Sequence, residues 1–370
     1  REVTLSPHSD KGGPWLFHGW AGGTNKVISG PMSWSFNLGL AIAAFIVTVA
    51  ATALALRLLR ARAVLDIPNE RSSHDRAVPR GGGIAVMAVM GGGWCLLAWW
   101  RGDSFDLLAL SILTAGLAAV SFLDDLRGLP ALPRLLLQAL AVALGCLLLS
   151  DGAVFQGLLP PMADRLAAGF CWLWFINLFN FMDGIDGITS VEAACIGVGI
   201  VLVVEVSGVG ADLASPAAIA AGAAIGFGIW NWRPAKIFLG DVGSVGLGFL
   251  LGWLLLSLAA AGHWLPALLL PLYYLTDATW TLLRRILRGE KFWRAHRSHF
   301  YQNAAAQCGD HAKVVLLILR CNLVLIAAAI WAATGDARWP ALALGGVGVA
   351  LLLYNFTTMK AAAKIPDEAN

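Results

Sequence analysis

The chain has 370 residues, 58% of them hydrophobic and only 13% charged, with a mean hydropathy of +0.71. These proportions exclude an ordinary soluble globule and indicate a polytopic membrane protein, for which one all-α transmembrane helical bundle is the simplest architecture. A formal net charge of +3 is too small to suggest a nucleic-acid partner. The six cysteines (Cys95, Cys146, Cys171, Cys195, Cys308 and Cys321) lie mostly in apolar runs without paired metal-ligand spacing, and read as small core residues.

Residues 1–32 are polar and Gly-rich, and Met32 directly precedes the first apolar run. They read as an extension ahead of a native start near Met32, with no signal-peptide h-region, and are expected to be poorly ordered. Residues 33–360 are expected to form the membrane domain and 361–370 a cytoplasmic tail. A span needs about 20 apolar residues. Eleven runs approach that length: 34–56, 82–100, 105–123, 132–150, 165–181, 188–207, 214–231, 242–262, 264–286, 313–333 and 338–358. The fifth is short and aromatic, and the ninth contains Asp277.

Lys and Arg set the expected orientation. Arg57, Arg60, Arg62, Arg71, Arg76 and Arg80 follow the first run, and seven more lie between Arg284 and Lys313. The loops on the other side hold only Arg101, Arg165 and Arg338. The basic side is expected to be cytoplasmic, with the N-terminus outside and the C-terminus inside. No internal repeat is evident, unlike the two-fold designs common among secondary transporters.

Five polar clusters fall on the basic side. The first spans 66–83 and contains His74, Arg80 and the glycines 81–83. Guanidinium and backbone N–H donors near a helix start suit a phosphate, although a basic topogenic loop would look the same. The second is Asp124-Asp125. Adjacent carboxylates repel unless a cation or shared proton relieves them, and hard oxygen ligands suit Mg²⁺; a solvated helix end is the plainer reading. The third, residues 180–189, holds Asn180, Asp183 and Asp186 between two apolar runs. An ionisable residue at membrane depth is a functional candidate by default, while a helix-capping loop is the alternative. The fourth, 231–244, holds Asn231, Phe238 and Asp241. Asp241 could be a simple N-cap, and Phe238 either interfacial packing or a plate for a base. The fifth contains His296, Arg297 and His299 in the most basic loop, suited to a di- or triphosphate anion or to anionic lipid. Asp277 and Arg320 could pair with each other or with loop groups. Together the clusters suggest a soluble phosphorylated substrate meeting a lipid-borne phosphate, with Mg²⁺ between them.

Five motifs, in order over residues 66–301, resemble the polyprenyl-phosphate N-acetylhexosamine-1-phosphate transferases, the superfamily that includes phospho-MurNAc-pentapeptide translocase. They are the 66–83 loop, Asp124-Asp125, the Asn180-Phe181-Met182-Asp183-Gly184-Ile185-Asp186-Gly187 stretch, Phe238-Leu239-Gly240-Asp241-Val242-Gly243-Ser244, and His296-Arg297-Ser298-His299. The resemblance implies a bacterial inner-membrane enzyme working at the cytoplasmic face. It implies transfer of a sugar-1-phosphate from a UDP-N-acetyl sugar to undecaprenyl phosphate, releasing UMP. The cofactor would be Mg²⁺, with Mn²⁺ as a substitute, and a homodimer is left open. Asn180 and Asp241 would hold metal and diphosphate with Asp183 close by. Asp186 and Phe238 would contact uracil, with Asn231 near the nucleotide. Asp124 would be the base for the lipid phosphate beside Asp125, and His296, Arg297 and His299 would bind phosphate or sugar.

Two departures stand out. Where many relatives carry a Lys after the paired aspartates, this chain has Arg127 and Arg134, so that role is not carried over. The His-Arg-Ser-His loop and the residues 67–74 resemble the branch that starts O-antigen or similar surface polysaccharides, whose sugars (GlcNAc, FucNAc or QuiNAc) differ. The competing classes are a transporter or flippase of lipid-linked or anionic substrates and a non-catalytic scaffold. A transporter would place charge at the bilayer midplane, and these charges crowd one face.

Overall fold

The computed structural model describes residues 33–62, 65–66, 77–102, 105–149, 152–290, 296–335 and 337–359. Residues 1–32, His74 and the 361–370 tail lie outside them. The described chain is a helical bundle: α1 Trp34–Ala61, α2 Gly83–Arg101, α3 Phe105–Arg127, α4 Ala131–Cys146, α5 Pro161–Phe181, α6 Ile188–Ser207 and α7 Ala214–Asn231. It continues with α8 Asp241–Leu258, α9 Trp264–Leu269, α10 Leu272–Leu287, α11 Phe300–Cys308, α12 His311–Thr334 and α13 Arg338–Thr358. Two two-residue strands, β1 Leu65–Asp66 and β2 Val78–Pro79, pair antiparallel between α1 and α2.

Eight helical stretches are long and apolar enough to cross a membrane, among them α1, α2, α3, α6, α12 and α13. The protein is a multi-pass helical membrane protein. In lipid every backbone polar group must be satisfied internally, and helices do this within one segment. The expected ninth run, 264–286, does not form one helix. A π-helical turn over Ala259–His263 joins α8 to α9, and Gly262 sits there at φ 100°. The break at Leu270–Pro271 then separates α9 from α10. Proline lacks the N–H an unbroken helix needs at that point.

Helix association in lipid depends on close packing rather than on escape from water. α6, α7 and α8 supply most of the buried core, while α1 turns Leu38, Ile42, Ile46 and Leu54 outward. Along α7 the chain is Ala- and Gly-rich, so α1 and α6 both pack against it. A side chain at Gly222 would run into the α1 backbone at Ala41. Trp172 of α5 is fully buried, stacks on Phe249 of α8 at 4.8 Å and donates its indole N–H to the Phe249 carbonyl at 2.9 Å. The α5–α8 contact matters most for function, because it sets the end of α5 beside the start of α8.

Candidate active site

Four chain segments converge at one end of the bundle. The first junction is backbone to backbone. The N–H groups of Gly81 and Gly82 donate to the Phe238 carbonyl at 3.2 and 2.8 Å, and Gly83 N–H donates to Leu239 O at 2.8 Å. Phe238 N–H returns to Pro79 O at 2.8 Å. These bonds correct the expectation that the glycine N–H groups cradle a phosphate: they are committed to the neighbouring loop. What the glycines permit is close approach, since a Cβ at Gly83 would overlap the Gly243 backbone. The junction carries Arg80 to the start of α8.

Arg80 Nη2 lies 2.6 Å from Asp241 Oδ1 and 3.2 Å from Asp125 Oδ1. Arg134, in the first turn of α4, pairs with Asp124 and reaches Asp241 Oδ2 at 3.3 Å. Asp124 Oδ1 also accepts the Leu129 N–H at 2.6 Å, closing the α3–α4 turn. Three carboxylates and two guanidiniums therefore alternate in one network, which answers how the adjacent aspartates coexist. On the other flank, Ser244 of α8 donates to Asn180 Oδ1 at 2.6 Å. Asp183 accepts from the Thr189 hydroxyl at 2.6 Å. Burial pushes the Asp183 carboxyl up to about 6, against the Thr189 bond and the field of Arg80, which pull it down.

An apolar groove of about 550 Å³ opens onto this network. Leu117, Leu132, Leu135, Phe170 and Val245 form much of its wall, and Asp124, Arg134, Asn180 and Asp241 also line it.

Other expected residues sit differently. Asn231 is 4% exposed and pins backbone: its Oδ1 accepts Gly187 N–H at 2.9 Å and its amide donates to Ile237 O at 3.0 Å. Asp186 is 8% exposed, accepts from Ala235 N–H at 3.1 Å and lies 3.5 Å from His311 Nδ1. Burial would raise its pKa, but the His311 and Ala235 bonds outweigh that and hold it below the ordinary value. Phe238 is half-buried at the Arg80 junction. Arg297 is exposed and His296 half-buried, whereas His299 is 2% exposed and faces Asp277. Burial, with His299 and Arg285 nearby, pushes His296 down to about 4, so it is neutral at pH 7. Asp277 pairs with loop groups, while Arg320 is exposed.

Two contributors to the site were not singled out in the sequence, Thr189 on Asp183 and His311 on Asp186, and nor were Glu192 and Glu205, which lie farther along α6. Asn322 of α12 donates to Glu192 at 2.7 Å and Asn37 of α1 to Glu205 at 3.0 Å. Carboxylates inside an apolar run were a readable signal for the last two.

The donor set is hard oxygen: Asp183, Asp241 and the Asn180 amide. Among the described residues no three His, Cys, Asp or Glu side chains converge as a ready-made metal site. Hard-oxygen side chains of this kind are the type Mg²⁺ takes, one or two carboxylates with water and phosphate filling the rest.

Residues 107–259 match the family described as Glycosyl transferase family 4. This segment is a glycosyl transferase family 4 domain. It runs from α3 to the end of α8, so it holds Asp124, Asp125, Asn180, Asp183 and Asp241. The chain is 28% identical, over 72% of its own length and 76% of the relative's, to the probable undecaprenyl-phosphate N-acetylglucosaminyl 1-phosphate transferase of Bacillus subtilis (strain 168). It is 34% identical to the phospho-N-acetylmuramoyl-pentapeptide-transferase of Mycobacterium avium (strain 104), over 47% of this chain and 61% of that relative. The same-named protein of Mycobacterium tuberculosis (strain ATCC 25177 / H37Ra) is 33% identical over the same shares. α10 and the His296–His299 loop lie outside the matched segment.

Proposed function

We propose that this chain transfers an N-acetylhexosamine-1-phosphate from a UDP-sugar to undecaprenyl phosphate, giving the undecaprenyl-diphospho-sugar and UMP. The observation that carries the reading is an apolar groove lined in part by a network of alternating carboxylates and guanidiniums. A polyprenyl tail fits the apolar wall and its phosphate fits the charged residues. The family domain and the printed names of the relatives support the same chemistry.

A phosphate oxygen of the lipid attacks the phosphorus that bears the sugar, and the bond from that phosphorus to the UMP oxygen breaks. Asp124 takes any remaining proton from the attacking phosphate or orients it, with Arg134 holding the carboxylate in place. Arg80 and Arg134 neutralise charge on the phosphate oxygens as they pass through a spread, anionic transition state. Asp241, Asp183 and Asn180 would hold Mg²⁺, which would supply positive charge to the phosphate oxygens. Asp186, Phe238 and Asn231 shape the nucleotide end. The basic loops support a site at the cytoplasmic face of a bacterial inner membrane. The His-Arg-Ser-His loop supports a role in starting O-antigen or a similar surface polysaccharide.

The test is UMP release by purified protein in detergent, with undecaprenyl phosphate, Mg²⁺ and UDP-GlcNAc, UDP-FucNAc or UDP-QuiNAc. Release that requires lipid phosphate and metal is expected, and the best donor names the sugar. A transporter or scaffold would release none.

A further inference from the structure

Asp277 of α10 is 0% exposed and sits under five donors. Oδ1 accepts from Phe300 N–H at 3.0 Å, His299 Nδ1 at 3.3 Å and the Thr281 hydroxyl at 3.4 Å. Oδ2 accepts from Tyr301 N–H and the Tyr273 hydroxyl, both at 3.1 Å. A buried carboxylate is tolerated only when hydrogen-bonded or paired in this way. Two of the donors are the first N–H groups of α11, so a residue from another helix does the work of an N-cap, beside the positive end of the helix dipole.

That capped helix bears on the reacting end of the bundle. The Tyr301 hydroxyl donates to Phe181 O at 3.0 Å. A Cβ at Gly184 would overlap that hydroxyl and come within 3.1 Å of Gln302 Nε2, so α11 lies flush against the turn that holds Asp183. The two histidines divide. The His299 ring lies between His296, at 4.9 Å between centroids, and Tyr301, at 5.8 Å and 23°. The Gln302 N–H also reaches the His299 side chain. Facing the buried carboxylate, Nδ1 donates to Asp277 in the tautomer that places its proton there. His296 keeps part of its surface open, with Nδ1 2.8 Å from the Ser298 hydroxyl.

The geometry points to Asp277 as a positioning residue that docks the 296–299 loop and the first turn of α11 onto the Asp183–Gly184 turn. His299 is its internal partner, and the turn so docked carries Asp183, which the transferase reading sets at the donor's diphosphate. What the turn meets rests on the transferase reading; the docking itself does not.

Two readouts test it in full-length protein in detergent. Asp277→Ala removes every bond, and Asp277→Asn turns NH₂ donors toward N–H donors. Asp277→Glu keeps the charge. Labelling by diethyl pyrocarbonate, read by mass spectrometry, reports the docking. His296 should label faster than His299 in the parent protein, and His299 labelling should rise about tenfold in the Ala and Asn variants as the loop opens locally. Kinetics report the role. The donor KM should rise roughly tenfold with the lipid-phosphate KM unchanged, with partial rescue in Asp277→Glu. Lower kcat with both KM values unchanged would mean less folded enzyme and would overturn the positioning role. His299 labelling as fast as His296 in the parent, or unchanged in both variants, would overturn the docking. If the parent protein releases no UMP with any donor, the transferase reading fails, and the labelling arm still decides the docking.

Discussion

Two sets of aspartates at the same end of the bundle contrast sharply. Asp241 pairs with the guanidiniums of Arg80 and Arg134 and borders the groove. Asp277, in the chain's C-terminal half, is sealed from solvent and filled with five donors, two from α10, two from α11 and His299 just before α11. Charge and residue type are the same; what differs is how the lone pairs are used. A carboxylate held by side-chain cations at a groove can exchange them for a metal or a phosphate-bound ion. One whose partners are backbone N–H groups cannot, because exchange would orphan buried donors.

Removing charge should separate the two classes. Asp124→Asn, Asp183→Asn and Asp241→Asn should each lower UMP release by 10²-fold or more, roughly the loss expected when a transition-state contact goes. Asp183→Asn should melt near the parent value or above it, since burial disfavours that carboxylate, whereas Asp124→Asn and Asp241→Asn leave Arg80 and Arg134 with fewer counter-charges and should melt a little lower. Turnover close to the parent in these variants would break the comparison at its functional end. Next in size is Gly83→Ala. Its methyl would overlap the Gly243 backbone, part α2 from α8 and draw Arg80 off Asp241. A loss of roughly 1–3 kcal/mol in stability is expected, as for other overpacked contacts, together with weaker activity. Thermal melts and UMP assays on one preparation would measure both.

The contrast also shows what could be read beforehand. The membrane class and most helix positions were legible because apolar runs of span length leave few alternatives, and Asp124, Asp183 and Asp241 stood out as charges where lipid would exclude them. The break at Leu270–Pro271 was missed because hydropathy does not register a missing N–H. The role of the glycines 81–83 was misread for a related reason. A Gly-rich loop before a helix fits both a phosphate cradle and close backbone packing, and only the partner strand at Phe238 decides between them. Asn231 and His299 looked like ligand contacts by type, yet their partners are Gly187 and Ile237 in one case and Asp277 in the other. Such pairings join positions far apart in the chain, and no local pattern encodes them.

A finer prediction concerns proton occupancy. Asp183 is raised to about 6 chiefly by burial. Because the folded state holds this proton more tightly than the unfolded chain, the associated stability is full at low pH and is lost as pH rises through about 6. Catalysis should run the other way, with UMP release falling as pH drops through the same region and Asp183 becomes neutral. Thr189→Val removes the hydroxyl donor that opposes the shift. Its acid limb should therefore move to higher pH, with the maximal rate much less affected. A pH–rate profile in which the limb stays put would detach Asp183 from the observed titration.

The smallest expected effect is at the opposite end of the bundle. Arg101 closes α2 and donates to Asp212 O at 3.2 Å, and Arg338 opens α13. Neither belongs to the carboxylate–guanidinium network. Arg338→Gln should change stability by less than about 0.5 kcal/mol, as surface substitutions do, and Arg101→Gln, which loses the bond to Asp212 O, by about 0.5–1.5 kcal/mol. UMP release should be unchanged. These residues are cations, as Arg80 and Arg134 are, so the substitution isolates position from charge. A large loss of activity in either variant, with folding intact, would mean that the reacting end had been assigned to the wrong side of the membrane.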